Sequence, residues 1–340
     1  MRTAEQQNAL NTARISSTER LPQIDLHPWL FGDRAARLQV ARRIADACAR
    51  YGFFYLYRHN VPDALRQGGF EAAERFFAMP VDKRMACRPT AARQIRGYQP
   101  LGDTKRPGIP ADLKESFDMG FPLAADDPDV LAGLPFHSTN SWPADLPGFR
   151  RAIEALYFSK LECGRHVLRA MALALGADEN FFVGQCEKPY TNMRLVHYPP
   201  QDPQPDAGIG ASAHSDRGII TLLLNDSNGG LHVETANGDW IDAPPDPQAI
   251  IVNVGDLMTR WSNGRFRSAI HRVVNETGHE RYSIPQFHHP SYRAVVDPAQ
   301  LPGAGTIRYE PVVAGEFVAH GLQRDRKSWS EAAAETAPAA

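Results

Sequence analysis

Apolar positions in the first half of the chain recur mainly at helical spacing, and in the second half mainly in short runs broken by turns. From Arg34 to Tyr51, Leu38, Val40, Ala41, Ile44, Ala45 and Cys48 alternate with arginines at the spacing of an amphipathic helix. Gly52 ends that pattern. Phe53-Phe54-Tyr55-Leu56-Tyr57 then forms the unbroken apolar and aromatic run of a buried strand. A short strand is expected earlier, at Ile24-Asp25-Leu26, and a second helix over Asp63 to Ala78, stopped by Pro80. The clearest helix runs from Gly148 to about Leu175, where Ile153, Leu156, Tyr157, Leu161, Val167, Leu168 and Met171 make one apolar face before Gly176. Residues 88–148 are rich in proline and glycine, and read as irregular chain with short strands around Gly97-Tyr98 and Ser116-Phe117-Asp118.

From Met193 onward the period shortens. Met193–Tyr198, Ile219–Leu224, Leu231–Glu234, Ile250–Val254 and Tyr282–Phe287 read as strands, with turns at Asn228-Gly229-Gly230 and Asn237-Gly238-Asp239. Helices followed by evenly spaced strands predict an α+β chain with a mainly β core, a β-sandwich or jelly roll flanked by helices. The organisation expected is a polar, mobile leader over 1–20, a helical and irregular portion over 21–185, a β core over 186–322 and an alanine-rich tail over 323–340 that is frayed or helical. These portions read as one structural unit, without repeats or a linker.

Composition narrows the possible functions. The 340 residues are 43% hydrophobic and 22% charged, as in a globular chain with a sizeable core, and the net charge of -2 gives no electrostatic case for nucleic acid or an anionic membrane. No apolar run approaches the ~18 residues of a membrane span, and the first twenty residues lack a signal-peptide core. The four cysteines, Cys48, Cys87, Cys163 and Cys186, are far apart and follow no zinc-ligand spacing, which fits a reducing cytoplasm. The expected partner is a small-molecule substrate; the sequence does not set the oligomeric state.

The candidate chemistry centres on Ala213-His214-Ser215-Asp216 and His271. Two histidines and one carboxylate are the ligands of open-sided non-haem Fe(II) sites, where three protein ligands leave positions for a chelating co-substrate and dioxygen. An H-x-D triplet alone arises by chance, so the surrounding series matters. If His214 and Asp216 lie on a strand, the period of two puts both on one face, and a jelly roll can bring His271 from a distant strand. Arg281 and Ser283 share a face by the same rule. A guanidinium fork and a hydroxyl suit one carboxylate of a dicarboxylate, with the keto-acid end left for the metal. Tyr98, Phe117, Asp118, Thr221, Leu223 and Phe287 are candidate substrate contacts, though most suit the core equally, and Lys105 and Arg106 read as a solvated basic pair, with contact to an acidic substrate from their loop as the alternative.

Together these residues resemble the isopenicillin N synthase-like branch of the Fe(II)/2-oxoglutarate-dependent dioxygenases over about Leu21 to Leu322. The likeness includes Leu21-Pro22-Gln23-Ile24-Asp25-Leu26, Gly52-Phe53-Phe54-Tyr55-Leu56, Arg96-Gly97-Tyr98, Lys114-Glu115-Ser116-Phe117-Asp118 and Met193 to Pro200. Arg58-His59-Asn60 departs from the family's common N-H-G, Ser215 replaces a frequent threonine, and Val196 stands where many plant members have asparagine. The resemblance implies a distorted double-stranded β-helix with a helical N-terminal portion. It places the metal triad on His214, Asp216 and His271, the co-substrate motif on Arg281 and Ser283, and a further co-substrate contact on Tyr198. It implies Fe(II), 2-oxoglutarate and dioxygen, with release of succinate and carbon dioxide as a substrate is hydroxylated, desaturated or cyclised. Two alternatives stay open: an oxidase of the isopenicillin N synthase type that omits 2-oxoglutarate, and a non-catalytic ligand-binding protein on the same scaffold.

Overall fold

Helices and strands alternate through the first half of the chain and merge into one large sheet. The computed structural model describes residues 4–89, 94–103, 111–200, 209–275 and 277–325. Helix α1 (Ala4–Thr12) is followed by β1 (Gln23–Asp25), α2 (His27–Phe31), α3 (Arg34–Arg50) and β2 (Phe53–Tyr57). The α3 helix starts on Asp33, whose side chain accepts from the Ala36 N–H. It stops at Gly52, where φ is +70 and a Cβ would stand 2.2 Å from the Arg267 carbonyl oxygen, so only glycine fits the cap. Next come α4 (Asp63–Phe77), α5 (Val81–Met85), β3 (Gly97–Gln99), β4 (Glu115–Gly120), α6 (Pro128–Leu131), α7 (Phe149–Ala174) and α8 (Phe181–Gly184). The second half supplies β5 (Asn192–Tyr198), β6 (Ala211–His214), β7 (Ile220–Asn225), β8 (Leu231–Glu234), β9 (Trp240–Asp242) and β10 (Ile250–Val254). It ends with α9 (Asp256–Trp261), β11 (His271–Val273), β12 (Arg281–His288), β13 (Val295–Val296), β14 (Val312–Val313) and α10 (Ala314–Asp325).

Eight strands form a sheet in the order β1-β2-β10-β7-β12-β5-β4-β3, and four form a second in the order β6-β11-β8-β9. The expected α+β chain with a mainly β core is what the molecule has. Strands from both sides of residue 185 share the large sheet, which ties the N-terminal portion to the β core. Its outer face packs on the helices: Phe54, Phe76, Phe117, Phe149, Leu156 and Leu222 belong to one buried cluster. Its inner face meets the small sheet through a second cluster that includes Phe53, Tyr55, Val196, Tyr198, Val233 and Ile251. The site lies between the two sheets, beside this second cluster.

One sequence expectation changes. Where a mobile leader is expected, α1 docks on β6: Gln7 Nε2 donates to the Ala213 carbonyl at 2.7 Å, and the Ala213 N–H donates to Asn11 Oδ1 at 2.9 Å. At the other end α10 runs to Asp325, so the expected tail falls largely outside the described residues. No helix among the described residues is long and apolar enough to cross a membrane.

Candidate active site

Cross-strand pairing sets up the site. β6 and β11 run antiparallel with His214 directly opposite His271, their rings 4.4 Å apart. Asp216 is not on the strand, as the period-two reading required; β6 ends at His214, and Asp216 comes from the turn beyond it. That turn is held by backbone contacts: the Asp256 N–H donates to the Asp216 carbonyl at 2.7 Å, and the Leu257 N–H to the Gly218 carbonyl at 3.1 Å. A Cβ on Gly255 would stand 2.2 Å from the Gly218 oxygen, so this close approach needs glycine.

The ligand atoms of His214, Asp216 and His271 all lie within 4.8 Å of one another. Asp216 Oδ1 is 3.8 Å from His214 Nε2 and 3.9 Å from His271 Nε2, too far for hydrogen bonds and close enough for one ion to touch all three. Each ring is oriented through its other nitrogen. His214 Nδ1 donates to the Ser212 carbonyl at 2.7 Å and His271 Nδ1 to the Ala269 carbonyl at 3.2 Å, which leaves both Nε2 lone pairs facing the carboxylate. Phe53 packs edge-on against His271. The far oxygen of Asp216, Oδ2, accepts from Thr221 Oγ1 at 2.5 Å and Asn253 Nδ2 at 2.7 Å, so Oδ1 remains for the metal. Burial opposes ionisation of Asp216, but His271, His214 and these two donors outweigh it and hold its carboxyl below the usual range. The donor set fits a divalent iron: two neutral imidazoles, one carboxylate, and an open side.

Arg281 and Tyr198 are cross-strand partners, with the guanidinium 4.8 Å from the tyrosine ring. Arg281 is 1% exposed; its Nε donates to the Gly229 carbonyl at 2.7 Å and its Nη2 to Asn225 Oδ1 at 3.0 Å. Nη1 is buried with no hydrogen-bond partner among the described residues, a donor that suits a carboxylate. Ser283 sits one step along the same face, opposite Val196 on one side and Asn225 on the other.

The substrate candidates divide by sheet face. Tyr98 and Phe117 pair with each other and point outward. The Tyr98 hydroxyl donates to Glu115 at 2.5 Å, and Phe117 packs on Phe76, Trp142 and Phe149. Both are corrected from substrate contacts to core residues. Asp118 faces inward but is 0% exposed, and its carboxylate accepts from Asn192, Arg194 and Gln99. Thr221 orients Asp216, and Leu223 packs against the second cluster. Phe287 alone of the six lines the cavity of about 150 Å³ that opens beside His214 and Asp216. Lys105 and Arg106 lie outside the described residues. Sequence reasoning missed Asn192, Arg194 and His289, which also line the cavity. The period of two along β5 could have found Arg194, a charge two and four residues from inward-facing Val196 and Tyr198.

Comparison with known proteins gives matches in both halves of the chain. Residues 190–290 match the 2OG-Fe(II) oxygenase superfamily, and residues 21–145 match the non-haem dioxygenase in morphine synthesis N-terminal family. A 2-oxoglutarate-Fe(II) type oxidoreductase of Emericella nidulans is 37% identical over 78% of this chain and 78% of its own length. A 2-oxoglutarate-dependent dioxygenase of Monascus ruber is 39% identical over 78% of this chain and 84% of its own. The crystal structure of a full-length Neurospora crassa protein in complex with alpha-KG (2-oxoglutarate) and thymine superposes with a TM-score of 0.79 at 31% identity, covering 91% of this chain and 98% of that one.

Proposed function

This chain belongs to the Fe(II)- and 2-oxoglutarate-dependent oxygenases, and from that premise we propose that it hydroxylates a small molecule at a carbon held beside His214 and Asp216. The fold is the double-stranded β-helix of that family, and the enzyme uses Fe(II), 2-oxoglutarate and dioxygen. The observation that carries the hydroxylase reading is the convergence of His214, Asp216 and His271 at one end of the site with Arg281 at the other, whose Nη1 has no hydrogen-bond partner among the described residues.

In this reading His214 Nε2, Asp216 Oδ1 and His271 Nε2 hold the iron, which when bound activates dioxygen and accepts the keto-acid end of 2-oxoglutarate. Arg281, helped by Ser283 and Tyr198, grips the distal carboxylate. Along β7, Asn225 beside the guanidinium and Thr221 beside Asp216 are four residues apart, about 13 Å at ~3.3 Å per residue. A five-carbon diacid and its end groups bridge that span. Thr221 and Asn253 keep Asp216 from turning, and the second cluster keeps water from the co-substrate end. The net reaction converts substrate C–H, dioxygen and 2-oxoglutarate into C–OH, succinate and carbon dioxide. The small molecule bound in the Neurospora structure supports a substrate of similar scale.

The test is a metabolite screen that follows oxygen uptake and succinate together. Hydroxylation predicts one succinate per dioxygen, stimulated by the substrate. Oxygen uptake without succinate would instead indicate an oxidase that does not consume 2-oxoglutarate.

A further inference from the structure

Just before β4 the chain crosses from the large sheet to the small one. The Leu113 N–H donates to the Ile209 carbonyl at 3.0 Å. Next to it, Asp112 Oδ1 accepts from both the N–H (2.9 Å) and the hydroxyl (2.7 Å) of Ser212 on β6. Ser212 is also the residue whose carbonyl takes the Nδ1 proton of His214 at 2.7 Å. A carboxylate from the β4 side of the molecule is thus joined, through one residue, to the ring of a metal ligand.

His214 needs such support more than its two companions. Its side chain is 30% exposed, against 10% for His271 and 6% for Asp216, and it ends a four-residue strand at the edge of the small sheet. An edge strand lacks a neighbour on one side, so its last residue is the least constrained. Asp112 and Ser212 are both buried. An ionised carboxylate at that depth is costly unless it is paired. Lys114 supplies the pairing, with Nζ donating to Asp112 Oδ2 at 2.8 Å. The carboxylate is therefore divided as that of Asp216 is: one oxygen faces a partner that fixes it, and the other does the work. Asp112, Lys114 and His214 all line the same cavity.

From this we propose that Asp112 is a positioning residue for the metal. It fixes Ser212, the Ser212 carbonyl fixes the proton and the angle of the His214 ring, and Nε2 stays aimed toward Asp216 Oδ1. Lys114 balances the charge of Asp112 and turns Oδ1 toward Ser212. The inference rests on the oxygenase reading of the site. Asp112 acts through Ser212 and His214, so its loss is read in metal affinity and ligand geometry.

The test uses the full-length protein under argon, with Fe(II) affinity and the visible absorption of the Co(II)-loaded protein as readouts. Asp112→Ala should weaken Fe(II) binding about tenfold and shift the Co(II) bands, which report the geometry of the ligands. The double variant Asp112→Asn with Lys114→Met keeps an acceptor oxygen for Ser212 and removes the cation that the new amide would face. It should bind Fe(II) within about threefold of the wild type and keep the wild-type Co(II) spectrum. A merely structural ion pair predicts otherwise, since both variants lose that pair alike. Wild-type Fe(II) affinity and Co(II) spectrum in Asp112→Ala, or a double variant as weak as Asp112→Ala, would overturn the inference. Should Asp112→Ala not fold, Ser212→Ala carries the test, because it loses one of the two bonds to Asp112. Severalfold weaker Fe(II) binding by that variant supports the inference, and wild-type affinity overturns it. Failure of the wild-type protein to bind Fe(II) would instead count against the oxygenase reading itself.

Discussion

Asp216 uses its two oxygens differently: Oδ2 is held by Thr221 and Asn253, and Oδ1 is turned toward His214 and His271. A carboxylate held from behind keeps one ligand direction, and outer partners of this kind typically contribute 10–100-fold in metal affinity. Thr221→Val should therefore weaken Fe(II) binding by about 10-fold, and Thr221→Val with Asn253→Leu by about 100-fold, in anaerobic titrations of the folded protein. Unchanged affinity in the double variant would mean that Asp216 needs no support. The converging side chains were legible as candidates in the sequence because an open iron site needs particular residue types, and His214, Asp216 and His271 are such residues. Their supports were not. Thr221 read as a substrate contact, since nothing in a sequence says which hydroxyl faces a carboxylate from a different segment.

At the scale of elements, β6 is an edge strand of the small sheet, and its terminal residue is His214. An edge leaves backbone groups unpaired. Here α1 supplies the missing partners through Gln7 and Asn11, and Arg272 on β11 ties down the end of the helix by donating to the Leu10 carbonyl at 2.5 Å. Replacing Gln7 and Asn11 together with alanine should speed amide hydrogen exchange at Ala213 at least tenfold and weaken Fe(II) binding severalfold. Exchange at Ala213 as slow as in the wild type would show that the helix merely rests there. Helices α3, α4 and α7 and strands β2, β5, β7, β8, β10 and β12 were readable because each carries a strong period or an apolar run. The misreadings came where pairing decides. Phe117 and Asp118 sit in one strand, and only its register with β5 shows that the first points into the core and the second toward Arg194. The α1 helix was unreadable for a related reason: it is weakly amphipathic, and its anchors on β6 lie far along the chain.

On the scale of the whole molecule, the large sheet separates two interiors, one packed on helices and one enclosing the site. Lys160 of α7 is in the first, wholly buried, with its Nζ donating to the Ile284 carbonyl at 2.6 Å. Burial lowers its pKa from 10.5 to about 7, and burial with neighbouring positive charge lowers that of His288 from 6.5 to about 3. Between pH 7 and 10.5 the unfolded chain binds the Lys160 proton and the folded one releases it, so this residue makes stability rise with pH over that range. His288 does the same between pH 3 and 6.5. Urea unfolding should show greater stability at pH 9 than at pH 7. Lys160→Met should remove most of that rise. A variant with the wild-type pH dependence would refute the assignment.

The two-ended site between the sheets predicts that 2-oxoglutarate is held by the metal at one end and by Arg281 at the other. The most direct measurement is the affinity of 2-oxoglutarate under argon for the wild-type protein with and without Fe(II), and for Asp216→Ala and Arg281→Gln with Fe(II) present. Tight binding should require iron, and each substitution should weaken it by at least tenfold. Equal binding without iron, or an Arg281→Gln protein that binds as tightly as the wild type, would contradict the account.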